Sequence, residues 1–198
     1  MQDARPHTFV FADMVGFTAF TAEHGDEAAA DLAIAFCHEV SRLAAEHGAE
    51  TVKAIGDAVM VRAAEAQDAV KFAAAVLDHL SGHRGFPPIR IGMHTGPAVE
   101  RAGDWFGATV NLAARVAGAA AGGEALVTRE VRVAACAVTH VELRDRGRVA
   151  LKHVPGEPLV YSVKPYRARP RCVHPPRRRH RRFAPPIRVP ALTPAAGL

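Results

Sequence analysis

Apolar positions along this 198-residue chain change their spacing several times, and each change marks an element. Thr8–Ala12 (TFVFA) is a short β-rich run ending at Asp13. Gly16 breaks it, and Thr18 or Thr21 can cap the next segment. From about Phe20 to Glu46, Leu32, Phe36, Val40 and Leu43 recur at helical spacing, and Gly48 stops the segment. Val52–Ile55 and Ala58–Arg62 read as strands joined by Gly56-Asp57, a hairpin signal. Helical period returns over Glu65–Leu80 through Ala69, Phe72 and Val76, and Ser81–Pro88 reads as loop. Ile89–His94 is a predicted strand, and Gly96-Pro97 turns it into a second strand at Ala98–Glu100. Gly103–Gly107 reads as a loop before a short helix over Val110–Ala117. A strand at Ala125–Thr128, a short helix near Arg129–Cys136, and strands at Val141–Leu143, Val149–Leu151 and Leu159–Val163 complete the pattern. Hairpins mixed with crossover helices predict an α+β fold. Its sheet is expected to be mostly antiparallel, with helices on one face around a ferredoxin-like split βαβ core.

Charge divides the chain where periodicity ends. The formal net charge is +5, yet residues 1–163 carry 15 Lys and Arg against 20 acids. Residues 164–198 carry 10 Lys and Arg, no acid and 8 of the 14 prolines. We therefore expect a domain over 1–165 and a basic, Pro/Arg-rich, disordered tail over 166–198. The stretch RPRCVHPPRRRHRRF (169–183) is basic enough to contact nucleic acid or an anionic lipid surface, although nothing else in it supports either. No apolar run is long enough for a membrane span, and no secretory signal is visible. Cys37, Cys136 and Cys172 are odd in number and far apart, so reduced thiols in a cytoplasmic protein are expected. The first predicted strand begins near residue 8, so no sensor or membrane domain is expected ahead of it.

Two groups of residues can carry chemistry. Asp13 leaves the first strand and Asp57 sits at a hairpin tip, so neighbouring strands would bring both carboxylates to one sheet end. Gly16, Phe17 and Thr18 form the turn whose N–H groups can hold phosphate. Two carboxylates beside such a turn suit Mg²⁺, which shares oxygen ligands with substrate phosphates. Each aspartate alone is equally ordinary loop chemistry. The second group is Lys53, Asp104, Asn111 and Arg115. Asn111 and Arg115 are four apart and share a helix face, where they can brace an anionic transition state or simply meet solvent.

Four motifs settle more. FVFADMVGFTAF (9–20), VKAIGDAVM (52–60), RIGMHTG (90–96) and DWFGATVNLAAR (104–115) resemble, in order, four motifs of class III nucleotide cyclase catalytic domains. The resemblance covers about residues 7–164. It implies an adenylate cyclase that converts ATP to 3′,5′-cyclic AMP and pyrophosphate, as a homodimer whose two active sites are shared between subunits. One subunit would supply Asp13, Asp57 and the Met14 backbone for two Mg²⁺ or Mn²⁺ ions. The other would supply Lys53 and Asp104 to read adenine, and Asn111 and Arg115 for the transition state. Arg90 matches a triphosphate contact. Lys152, in ALKHV, matches a phosphate contact, although His153 stands where the family has Gly. A cyclase fold that binds nucleotide or a partner without chemistry is the alternative. A guanylate cyclase fits less well, because Lys53 and Asp104 complement adenine N1 and N6 and oppose guanine.

Overall fold

The computed structural model describes residues 5–82, 85–136, 138 and 141–165. The expectations for the tail 166–198 lie outside them. Nine strands and five helices succeed one another in chain order among the described residues: β1 (His7–Met14), α1 (Phe17–His24), α2 (Asp26–Glu46), β2 (Ala49–Ile55), β3 (Ala58–Ala63), α3 (Ala66–His79), β4 (Ile89–Gly96), β5 (Val99–Arg101), β6 (Asp104–Phe106), α4 (Ala108–Ala119), β7 (Ala125–Thr128), α5 (Arg129–Ala134), β8 (Val141–Arg148) and β9 (Leu159–Pro165).

The main sheet has the order β2-β3-β1-β4-β7-β9-β8. Only β4 and β7 pair in parallel, and α4 lies in the crossover between them. The other neighbours are antiparallel, as the alternation of hairpins and helices predicts. Alternate residues of β1 enter different cores, because successive side chains point to opposite faces of a strand. Val10, Ala12 and Met14 pack with α2, α3 and α5 through Phe36, Val40, Phe72, Val76 and Val131. Phe9 and Phe11 pack with Met60, Trp105, Val110 and Ala113 on the other side.

That second core corrects the expectation of helices on one face: α4 covers the opposite face. Its approach depends on Gly92. A Cβ there would lie 1.9 Å from the Ala117 backbone nitrogen, so only glycine lets α4 lie against β4.

Four local expectations also change. The predicted helix over Phe20–Glu46 starts earlier and breaks at Gly25 into α1 and α2. Neither Thr18 nor Thr21 caps α1; Gly16 is the N-cap, and the Thr21 hydroxyl donates to the Phe17 carbonyl inside the helix. The predicted loop at Gly103–Gly107 contains β6, which pairs with β5 as a separate two-stranded ribbon. Val149–Leu151 is not a strand, since β8 runs on to Arg148 and Leu151 instead plugs a small core with Val116, Ala120 and Leu126. Among the described residues, no helix is long and apolar enough to cross a membrane. Cys37 and Cys136 are free thiols.

Candidate active site

β1 is paired along its length by β3 and β4, and Asp13 stands opposite Ala58 on one side and Arg90 on the other. Arg90 therefore meets Asp13 directly. Its Nε donates to Asp13 Oδ2 at 2.6 Å, and its Nη2 lies 2.5 Å from the same oxygen. The hairpin between β2 and β3 brings Asp57 to the same end, where the Met14 N–H donates to the Asp57 carbonyl at 3.4 Å. Burial holds the Asp57 carboxyl above the ordinary carboxylate range. The Asp13 carboxylate beside it pushes the same way, by charge and by hydrogen bonding, and Arg90 pulls the other way. The predicted convergence of Asp13 and Asp57 is thus present. Arg90, expected on the triphosphate, is the cation that partly neutralises Asp13 in the free chain.

The chain then turns through Gly16 into α1. Gly16 adopts φ 84°, ψ 13°, a left-handed conformation that glycine tolerates without strain, and it provides no side-chain cap. Its carbonyl accepts from the Phe20 N–H. The N–H groups of Phe17 and Thr18 precede the first helical bond and stand at the positive end of α1, which suits an anion.

A second cluster lies on the face covered by α4. Lys53 Nζ donates to Asp104 Oδ2 at 2.5 Å, and the Trp105 N–H donates to Asp104 Oδ1 at 2.8 Å. The hydrogen bond from Lys53, followed by that from Trp105, holds the Asp104 carboxyl below the usual range. A β-bulge aims the lysine: the register of β2 against β3 slips between Thr51 and Lys53, which sets Lys53 opposite Met60. Lys53, Phe11, Met60, Phe106, Val110 and Asn111 line a cleft of about 490 Å³. Ile55 and Phe106 stand at its rim, 47% and 52% exposed.

Asn111 and Arg115 occupy the exposed face of α4, opposite Val110, Ala113 and Val116. The predicted i, i+4 relation holds. Asn111 reaches the cleft, whereas Arg115 projects from the helix without a partner among the described residues. Lys152 is exposed in a turn after β8. His153 beside it adopts φ 61°, the left-handed conformation that glycine favours. Sequence reasoning missed Trp105, Phe106 and Ile55 as parts of the cleft. Their signal was adjacency: Trp105 and Phe106 come directly after Asp104, and Ile55 lies two residues beyond Lys53.

The family model described as the adenylate and guanylate cyclase catalytic domain matches residues 1–165, and the chain belongs to that family. Over 134 residues it is 37% identical to a pH-sensitive adenylate cyclase of Mycobacterium tuberculosis, covering 66% of this chain and 33% of that protein. An adenylate cyclase of Streptomyces griseus is 37% identical over 116 residues, 59% of this chain and 29% of that protein. The chain thus spans about a third of the length of these curated relatives. Among solved structures, the adenylyl cyclase CyaB of P. aeruginosa superposes with a TM-score of 0.72 at 28% identity, over 82% of this chain and 95% of that one. The guanylate cyclase domain of RhGC from Catenaria anguillulae, solved with GTP, superposes with a TM-score of 0.71 at 19% identity, over 82% of this chain and 97% of that one. At that identity the likeness concerns the fold alone.

Proposed function

We propose that the domain is a cytoplasmic adenylate cyclase that converts ATP to 3′,5′-cyclic AMP and pyrophosphate. One observation carries this reading: the same chain holds a carboxylate pair beside an uncapped helix N-terminus and, separately, a Lys–Asp pair beside an aromatic-rimmed cleft. The first suits a metal-bound triphosphate and the second suits adenine.

Asp13 and Asp57 offer only hard oxygen donors, and burial, followed by the neighbouring Asp13 charge, holds the Asp57 carboxyl above the ordinary carboxylate range. That donor set fits Mg²⁺ or Mn²⁺, two per site, with the Met14 carbonyl as a further oxygen and the substrate phosphates completing the coordination. When bound, such ions lower the pKa of an attacking hydroxyl and neutralise phosphate charge. The N–H groups of the Gly16-Phe17-Thr18 turn bind phosphate oxygens. Arg90 remains close to the carboxylates and is within reach of the same phosphates. Lys53 donates to adenine N1 and Asp104 accepts from the N6 amine. Asn111 orients the ribose so that its 3′-OH faces the α-phosphorus in line. Arg115 then stabilises the charge that builds on the equatorial oxygens, and Lys152 contacts the leaving phosphates.

Asn111 and Arg115 point outward from α4, and Ile55 and Phe106 expose apolar surface beside the cleft. Both features favour a homodimer in which each site takes Asp13 and Asp57 from one subunit and Lys53, Asp104, Asn111 and Arg115 from the other.

The test is conversion of ATP to cyclic AMP by the purified chain in Mg²⁺ or Mn²⁺. Asp57→Ala is expected to lower turnover by at least ~10²-fold. Equal metal-dependent turnover in the two proteins would contradict the assignment. Asp13→Ala and Asn111→Ala are each expected to be inactive, and mixing them restores one complete site per heterodimer. With subunit exchange demonstrated, absence of recovery would rule out sharing.

A further inference from the structure

Trp105 is the only tryptophan of the chain and directly follows Asp104. The strands β5 and β6 contribute six residues to their ribbon, and among these Trp105 alone is buried. A ribbon of three residues per strand, unpaired with the main sheet, has little stability of its own. Its place is set by what the indole ring meets. The ring lies 4.7 Å from that of His7 and 5.6 Å from that of Phe9, centroid to centroid. The Arg62 guanidinium stands 5.1 Å from the ring centroid. Arg62 is itself held from behind: its Nε donates to Glu50 Oε1 at 2.6 Å, and its Nη1 donates to His7 Nδ1 at 2.9 Å. The backbone N–H of Trp105 donates to Asp104 Oδ1 at 2.8 Å, so the residue that buries the indole also holds the carboxylate.

A continuous series of contacts therefore runs from Glu50 on β2, through Arg62 on β3, to Trp105 and Asp104 on the ribbon. None of it is needed to close the core under α2 and α3, which is built from the opposite faces of these strands. Arginine suits the position because its planar cation can lie over the indole while its fork still donates to Glu50 and His7.

We propose that Arg62 and Trp105 form a clamp that positions the Asp104 carboxylate, and so sets how sharply the cleft separates adenine from guanine. The proposal rests on the reading of Asp104 as the acceptor for adenine N6. Arg62 is a positioning residue. It acts on the base by fixing the indole and with it the Trp105 backbone, whose N–H holds Asp104 Oδ1 and leaves Oδ2 for Lys53 and the base.

Binding of 3′-deoxy-ATP and 3′-deoxy-GTP, which lack the attacking hydroxyl, can be measured by calorimetry on the full chain with Mg²⁺. The set of proteins is wild type, Arg62→Met, Arg62→Lys, Trp105→Leu, the Arg62→Met/Trp105→Leu double variant and Asp104→Asn. Arg62→Met is expected to reduce the ratio of adenine to guanine affinity by about fivefold, and Arg62→Lys to recover part of it. In the Trp105→Leu background, Arg62→Met changes the ratio no further, because the two act as one unit. The emission of Trp105 shifts to the red in Arg62→Met as the ring loosens. The clamp is overturned if Arg62→Met leaves the ratio intact or weakens both nucleotides alike. It is also overturned if Arg62→Met has the same effect with and without Trp105. Asp104→Asn separates the two ways of failing. If it leaves the ratio unchanged, the adenine reading falls and the clamp with it. If it collapses the ratio while Arg62→Met does not, only the clamp falls.

Discussion

Asp13 and Arg90 face each other on neighbouring central strands, whereas Lys53 and Asp104 meet from an edge strand and a detached ribbon. The first pair lies where β1 is bonded on both sides in unbroken register. The second depends on a bulge that turns Lys53 toward the cleft and on the single buried side chain of β6. Moving Asp13 would mean moving the middle of the sheet. Moving Asp104 would mean only tilting a ribbon. Under the proposed function, Asp13 and Arg90, which serve the phosphate chemistry, sit in the middle of the sheet and the groups for base selection on its periphery. Selectivity can then vary with little effect on folding, while the chemistry cannot.

Substitutions at the centre and at the periphery are expected to have different effects. Arg115→Ala is expected to lower kcat by ~10²–10³ with a small change in KM for ATP, because the guanidinium acts on charge present only in the transition state. A change confined to KM would place Arg115 in ground-state binding. Asp104→Asn is expected to leave cyclisation running but to reduce the preference for ATP over GTP by about 10–100-fold, the effect of one charged hydrogen bond. The asparagine amide can accept from adenine or donate to guanine O6, so discrimination suffers more than rate. Loss of turnover on both nucleotides alike would show that the periphery also supports the chemistry. The smallest effect concerns the turn that carries Lys152. His153 has φ 61°, so His153→Gly relieves a left-handed residue at some entropic cost. We expect a net gain of about 0.5 kcal/mol in denaturant unfolding. A loss of stability would mean that the His153 side chain makes a contact worth more than the strain.

Much of the phosphate end was legible in the sequence, because its signals are local. A β-run ending at Asp13, a Gly56-Asp57 hairpin and a glycine before a helix are readable one segment at a time. The i, i+4 relation of Asn111 and Arg115 is legible for the same reason. The pairing of Arg90 with Asp13 was not, since it depends on the register of two strands 77 residues apart. Nor was the position of α4, which depends on the absence of a side chain at Gly92 and not on any periodicity in the helix itself. The bulge at Lys53 and the burial of Trp105 were hidden for a related reason. Both concern how an edge strand and a three-residue strand sit against neighbours, and neither leaves a repeating pattern. Helix α1 was absorbed into α2 because alanine-rich spacing continues across Gly25. Family resemblance gave Lys53 and Asp104 their adenine-reading role but did not name the residues that hold them.

The most direct test is a cyclisation assay on the purified wild-type chain, with ATP and GTP compared in Mg²⁺ and in Mn²⁺. Cyclic AMP is expected as the main product, with a clear excess of kcat/KM for ATP. Metal-dependent formation of cyclic GMP at an equal or greater kcat/KM, or no cyclic nucleotide from either substrate, would contradict the proposed function.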